Sequence, residues 1–193
     1  MQNKLNNKLV QVFRNSCFRQ MTNPSSMRFQ RFNQEMLTYV DYEKADELDS
    51  KNIRQNIEDF NIQDYVPEYQ RGPDKWSLDM KQKFIINTLK GVKTTIILCR
   101  HSESENAVIL DGQQRLTALK GFLTNEFSIN IDSEDYFYRD IIEEVKQMAV
   151  YVGMSIITAK DEKEEVQFYI DMNENITHSK EDIQIAKDYL KCL

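Results

Sequence analysis

The run Asp111-Gly112-Gln113-Gln114-Arg115 concentrates one carboxylate, two carboxamides and one guanidinium within five residues. It follows the apolar run Val108-Ile109-Leu110, which reads as a short buried strand. It precedes Leu116, Leu119 and Phe122, which recur at helical spacing. The Asp-Gly pair between them is a turn signal. A strand, a tight turn and a helix start together expose the first backbone N–H groups of the helix, and these favour an anion. The side chains suit a phosphate: Arg115 offers a planar fork for two oxygens, and Asp111 a ligand for a metal ion or a water. Plainer roles are open to the same residues, with Asp111 capping the helix and Arg115 lying in solvent.

A second block carries similar chemistry. In Val66-Pro67-Glu68-Tyr69-Gln70-Arg71, the segment Ile62–Val66 reads as a strand that Pro67 ends. Gln70-Arg71 then follows a strand end as Gln114-Arg115 does, so the two pairs can converge on one ligand. Trp76, five residues on, either stacks on a base or fills the core, and Tyr69 has the same two readings.

Asp111-Gly112-Gln113-Gln114-Arg115 resembles the Asp-Gly-Gln-Gln-Arg signature of the family of unknown function 262. That family includes the N-terminal domains of GmrSD-type modification-dependent restriction enzymes and belongs to the ParB/sulfiredoxin-like superfamily. Pro67-Glu68-Tyr69-Gln70-Arg71 with Trp76 resembles its upstream block. Phe168 to Tyr189, with Asn173 and Glu181 inside it, resembles its downstream block of two helices. The resemblance spans residues 62–190. It implies an α/β fold with a ParB/sulfiredoxin-like core and a small mixed sheet over 61–193. It also implies a nucleotide pocket formed by Tyr69, Gln70, Arg71, Gly112 and Arg115, with a nucleoside triphosphate held between the two arginines. A divalent metal, Mg2+ by preference, would sit on Asp111, and Gln113 or Gln114 would position the nucleophile for NTP hydrolysis. Phosphodiester cleavage is a variant of the same chemistry. The setting would be restriction, defence or counter-defence. The other reading is a non-catalytic regulatory or interaction module on the same fold, acting as partner subunit or inhibitor. Large members carry a separate His-Asn-His-type nuclease domain. This chain runs to Leu193 without one, so the expectation is action by this domain alone or with a partner chain.

Composition bounds the rest. A 193-residue chain with 40% hydrophobic and 29% charged residues is ordinary for a globular protein. No apolar run nears the roughly 18 residues of a membrane span and no apolar signal core opens the chain, so a cytoplasmic protein is expected. Cys17, Cys99 and Cys192 are odd in number and lack metal-ligand spacing, which fits a reducing compartment. Cys99, in an expected buried strand, reads as a small hydrophobe. His101 and His178 form no metal pair by spacing, and no phosphate-loop, dinucleotide or nucleophile-elbow motif occurs. Asp161-Glu162-Lys163-Glu164-Glu165 reads as the charged first turn of a helix. Residues 1–34 hold six basic and no acidic side chains, leaving 19 of the 25 basic residues beside all 31 acidic ones. Such an arm either folds onto the acidic body or makes weak, non-specific, salt-sensitive contacts with DNA.

Periodicity places the elements. Residues 1–60 read as a helical extension outside the resemblance, with Phe29, Phe32 and Met36 suited to a protein partner or a homodimer. Ser77 reads as the N-cap of a helix carrying Met80, Phe84, Ile85 and Leu89 and stopping at Gly91. Thr94–Arg100 is the clearest strand by β-branched content. A polar turn at Ser102–Asn106 leads into Val108–Leu110, and a helix over 112–124 follows. Further helices are expected over 138–149, from Asp161 with Val166, Phe168 and Ile170 inward, and over Asp182–Leu190. A strand is expected over Val150–Ile157, weakened at Gly153.

Overall fold

The computed structural model describes residues 61–101, 107–141, 152–174 and 179–193. The helical extension expected over 1–60, with its basic arm, lies outside these residues, as do the turn expected at 102–106 and His178. In chain order the described elements are α1 (Leu78–Leu89), β1 (Thr94–His101), β2 (Ala107–Asp111), α2 (Gln113–Leu123), β3 (Ile129–Ile131), β4 (Glu134–Tyr136), β5 (Val152–Ala159), α3 (Glu162–Asn173) and α4 (Lys180–Cys192). β1 pairs antiparallel with β2 and parallel with β5, giving a small mixed sheet of order β2-β1-β5.

Alternation along the strands sends side chains to two cores. Ile96, Leu98, Ala107 and Ile109 meet Ile85 of α1, Leu116, Leu119 and Phe122 of α2, and the hairpin residues Ile129 and Tyr136. Ile97, Cys99, Val108 and Leu110 face the other way, against Val166, Tyr169 and Ile170 of α3, Ile183 and Ala186 of α4, and Tyr69. Helices thus cover both faces, an α/β arrangement as expected. None of the described helices is long and apolar enough to cross a membrane.

Local chemistry sets the helix ends. The Ser77 hydroxyl accepts from the Met80 N–H and starts α1. Gly91, at φ 88°, ends it with Gly91 N–H donating to the Thr88 carbonyl and Val92 N–H to that of Asn87. Asp161 caps α3 as expected, and Ser179 caps α4, so that helix begins two residues before the expected start.

Two expectations need correction, and one element was not expected. Ile62–Val66 is not a strand: Ile62–Tyr65 is a 3-10 turn, begun by the Asn61 carboxamide accepting from the Gln63 N–H and donating to Asp64 at 2.6 Å. Such local side-chain bonds compete with extended pairing, so Gln70-Arg71 does not follow a strand end. Within 138–149, Tyr138–Asp140 is a single 3-10 turn followed by an extended Ile141, and the remainder lies outside the described residues. The hairpin β3–β4 has no counterpart in the sequence reading. Its turn places Asp132 and Ser133 at positive φ without a glycine, and three-residue strands are too short to show alternation.

Candidate functional site

β2 holds one residue too many for its partner. Leu98 pairs with Ile109 but Ile97 pairs with Asp111, so Leu110 is bulged and Asp111 is re-aimed at the strand end. Gln70 repairs the disturbed backbone, its Nε2 donating to the carbonyls of Ile109 at 2.6 Å and Leu110 at 3.1 Å. Gly112 follows at φ 112°, where a Cβ would lie 2.6 Å from Ile96 Cδ1, so glycine is required. Gly112 is also the N-cap of α2. The other described α-helices start on the capping side chains of Ser77, Asp161 and Ser179, whereas α2 starts with no capping side chain.

That helix start opens into a cavity of about 640 Å³, within the usual range for a small-molecule site. The cavity brings together Gln70, Arg71, Asp111, Gly112, Gln113, Gln114 and Arg115, two segments some forty residues apart in sequence. Arg115 Nη2 bonds Asp111 Oδ2 at 2.5 Å, and its Nη1 reaches Thr94 Oγ1 at 3.4 Å. Asp111 is therefore an i,i+4 ion-pair partner rather than a cap, and Arg115 is largely buried rather than solvated.

The two glutamines beside them differ. Gln114 Oε1 accepts from the N–H groups of Lys75 and Trp76 at 3.1 and 3.2 Å, and its Nε2 donates to the Gly72 carbonyl at 3.1 Å. Its carboxamide is thus a brace for the 72–76 loop. Gln113 makes a longer bond to Gln63, at 3.3 Å.

Arg71 is held from α4. Asp182 Oδ2 lies 3.6 Å from Arg71 Nη1, and Asp182 Oδ1 lies 3.2 Å from Lys75 Nζ. Burial pushes the Asp182 carboxyl up, but Lys75, the Ser179 hydroxyl and Arg71 outweigh it and hold the group below the usual carboxylate range. Sequence reasoning missed Asp182. Its signal was an acid beside Ile183 and Ala186 on the inward stripe of α4.

Tyr69 does not line the cavity. It is buried in the second core, where its hydroxyl donates to Glu165 Oε1 at 2.7 Å and its ring packs edge-on against Tyr169 at 5.3 Å. Desolvation, then the Glu165 charge, push its hydroxyl far above the ordinary tyrosine value. Glu165 also faces His101 Nε2 at 3.0 Å, so this acid bridges two elements instead of serving the helix dipole in solvent. Tyr169, adjacent to the expected Phe168, is the aromatic of α3 that reaches the cavity. Burial raises its hydroxyl to about 12, against the pull of Arg71. Cys99 is a buried hydrophobe as expected, its thiol pushed up to about 11 by desolvation and then by Glu165. Trp76 lines the cavity while packing edge-on against Phe84 at 5.4 Å.

Asp111 is the carboxylate of the cavity lining, and among the described residues no group of three or more His, Cys, Asp or Glu side chains is placed to hold a metal ion. A divalent cation on Asp111 would therefore draw its remaining ligands from bound phosphate oxygens and water, as Mg2+ commonly does.

Neither a curated protein nor a solved structure matches the chain. A family does match, over residues 50–192, which takes in the described cavity and both blocks that build it. The chain belongs to the family of the GmrSD restriction endonuclease N-terminal domain.

Proposed function

We propose that this cavity binds a nucleoside triphosphate with a divalent cation and hydrolyses it, within the restriction or defence setting that the family suggests. The observation that carries the reading is that Arg71 and Arg115, from separate segments, line one cavity at the start of α2, which no side chain caps. Arg115 and the α2 N–H groups take phosphate oxygens, Arg71 takes a second set, and Asp111 holds the metal or orients water. With Asp111 offsetting Arg115 and Asp182 offsetting Arg71, the two arginines cannot neutralise a triphosphate alone, which is the task of the cation. Gln113 is the amide left to orient the nucleophile, since those of Gln70 and Gln114 are engaged by backbone. The same proposal includes a ParB/sulfiredoxin-like core and phosphodiester cleavage as the variant substrate. It also includes weak DNA contact through the basic arm of 1–34 and a partner or second copy at the N-terminal extension.

Phosphate release from the four NTPs with Mg2+ tests it. Arg115→Ala and Asp111→Ala should each lower the rate on the order of 10²-fold. Equal rates in all three proteins would assign the activity to a contaminant or to another site.

The engagement of Gln70, Gln114 and the Asp111–Arg115 pair favours a second reading, a module that binds nucleotide without turning it over. Calorimetric binding with no phosphate release in a single-turnover experiment would select it.

A further inference from the structure

The cavity exceeds what a phosphate site needs, and part of its lining serves no anion. Trp76 comes from the 72–77 segment, Met80 from the first turn of α1, Ile97 and Leu110 from the sheet, and Met172 from the last turn of α3. Trp76 is only half-buried and Met80 is 47% exposed, so apolar surface is left open in the cavity that holds both arginines. A ligand that satisfies the whole lining has a flat apolar part joined to an anionic part.

One side chain ties the two parts of the lining together. Gln114 lies in the first turn of α2, the turn that presents its N–H groups to the cavity, and is itself buried. Its carboxamide holds the backbone of Gly72, Lys75 and Trp76. The phosphate-binding turn therefore fixes where the indole begins.

We propose that Trp76, with Met80 and Met172, is the base subsite of this cavity, and that Gln114 is the positioning residue that sets its distance from the phosphate end. This rests on the triphosphate reading above and adds that the ligand is recognised as a nucleoside, its base stacked on the indole, rather than as a bare polyphosphate. Stacking of a base on an aromatic side chain contributes roughly 10- to 100-fold in affinity.

The test compares ATP, GTP, CTP and UTP with inorganic tripolyphosphate, each with Mg2+, by calorimetry on the full chain. Trp76 is the chain's single tryptophan, so its emission reports the subsite directly. At least one NTP should bind about tenfold or more tighter than tripolyphosphate and quench the emission, which tripolyphosphate should not. Trp76→Phe keeps a stacking ring and the Phe84 contact, and should retain most of the preference. Trp76→Leu and Gln114→Ala should bring the NTP down to the tripolyphosphate level while leaving tripolyphosphate binding in place. Equal wild-type affinity for NTP and tripolyphosphate would overturn the base subsite while leaving the phosphate site standing. So would a Trp76→Leu protein, folded by circular dichroism, that loses both ligands alike. Binding of neither ligand by the wild type would sink the functional reading along with it.

Discussion

The sheet face that receives Ile96, Leu98 and Ile109 is closed by Ile85, Leu116, Leu119 and Phe122. The face that receives Cys99, Val108 and Leu110 is closed in part by Tyr69, Glu165, Tyr169, Asn173 and Asp182. Among the described residues, the helices of the first layer bury only the neutral polar side chains Thr88, Gln113 and Gln114, whereas those of the second bury the acids Glu165 and Asp182. Polar groups that are buried must be bonded, and several of these bonds end at the cavity. Asp182 holds Arg71, and Tyr169 lies against Arg71 on the lining. The comparison teaches a division of labour. Damage to the first face should cost stability, and damage to the second should cost the geometry of the site first.

The largest effect should come from the oily face. Phe122 is fully buried among α2, Phe127 and Tyr138, with ring centroids at 6.0 and 5.8 Å. Phe122→Ala should destabilise by about 3–5 kcal/mol in guanidinium denaturation. The fraction that remains folded should keep its nucleotide affinity. A loss of affinity with little loss of stability would reverse the division.

Next comes Asp182, on the polar face. Removing it leaves the largely buried Arg71 without its carboxylate partner, so Asp182→Ala should cost about 1–3 kcal/mol and loosen Arg71 at the cavity. Its pH dependence sharpens the point. Because the folded carboxyl is held below its ordinary 3.8, the stability it contributes is present above that value and is lost as pH falls through the lower folded value. An acid titration of stability should therefore be shallower for Asp182→Asn than for the wild type. Parallel acid limbs would mean that the ion pair contributes nothing to folding.

Which face was legible in the sequence follows the same division. The β-branched run Thr94–Arg100, the Ser77 cap and Gly91 stop, and the stripe of Leu116, Leu119 and Phe122 all express local preference or simple periodicity, and each element was placed within a residue or two. The Asp-Gly turn at the head of α2 was legible because a positive-φ glycine leaves a composition mark. Residues that bridge distant elements leave no such mark. Glu165 looked like one more acid of a charged first turn, and Asp182 marked only the start of the last helix, until their partners Tyr69, His101, Arg71 and Lys75 arrived from elsewhere in the chain. Gln70 and Gln114 stood out in the sequence and both line the cavity, but their partners are backbone groups, and spacing says nothing about those. Tyr69 took the core alternative of its two readings because Glu165, from a distant helix, holds its hydroxyl, and Ile62–Val66 was misread because the Asn61 side chain bonds locally.

The smallest effect lies at the seam between the faces, and its sign matters more than its size. Asp111 engages Arg115 at 2.5 Å, so an incoming phosphate competes with a carboxylate for the same guanidinium. Both side chains keep some solvent exposure, 34% for Asp111 and 22% for Arg115, so the pair is worth no more than a partly screened surface bridge. Without divalent metal, Asp111→Asn should therefore bind tripolyphosphate about two- to fivefold tighter than the wild type. With Mg2+ the order should invert, because the wild-type carboxylate, released from Arg115 by the ligand, becomes a cation ligand that the amide replaces poorly. Calorimetry in chelator and in Mg2+ reads both signs with one variant. Weaker binding by Asp111→Asn in chelator would show that Asp111 orients Arg115 for the anion instead of competing with it. No inversion in Mg2+ would remove Asp111 from the metal site.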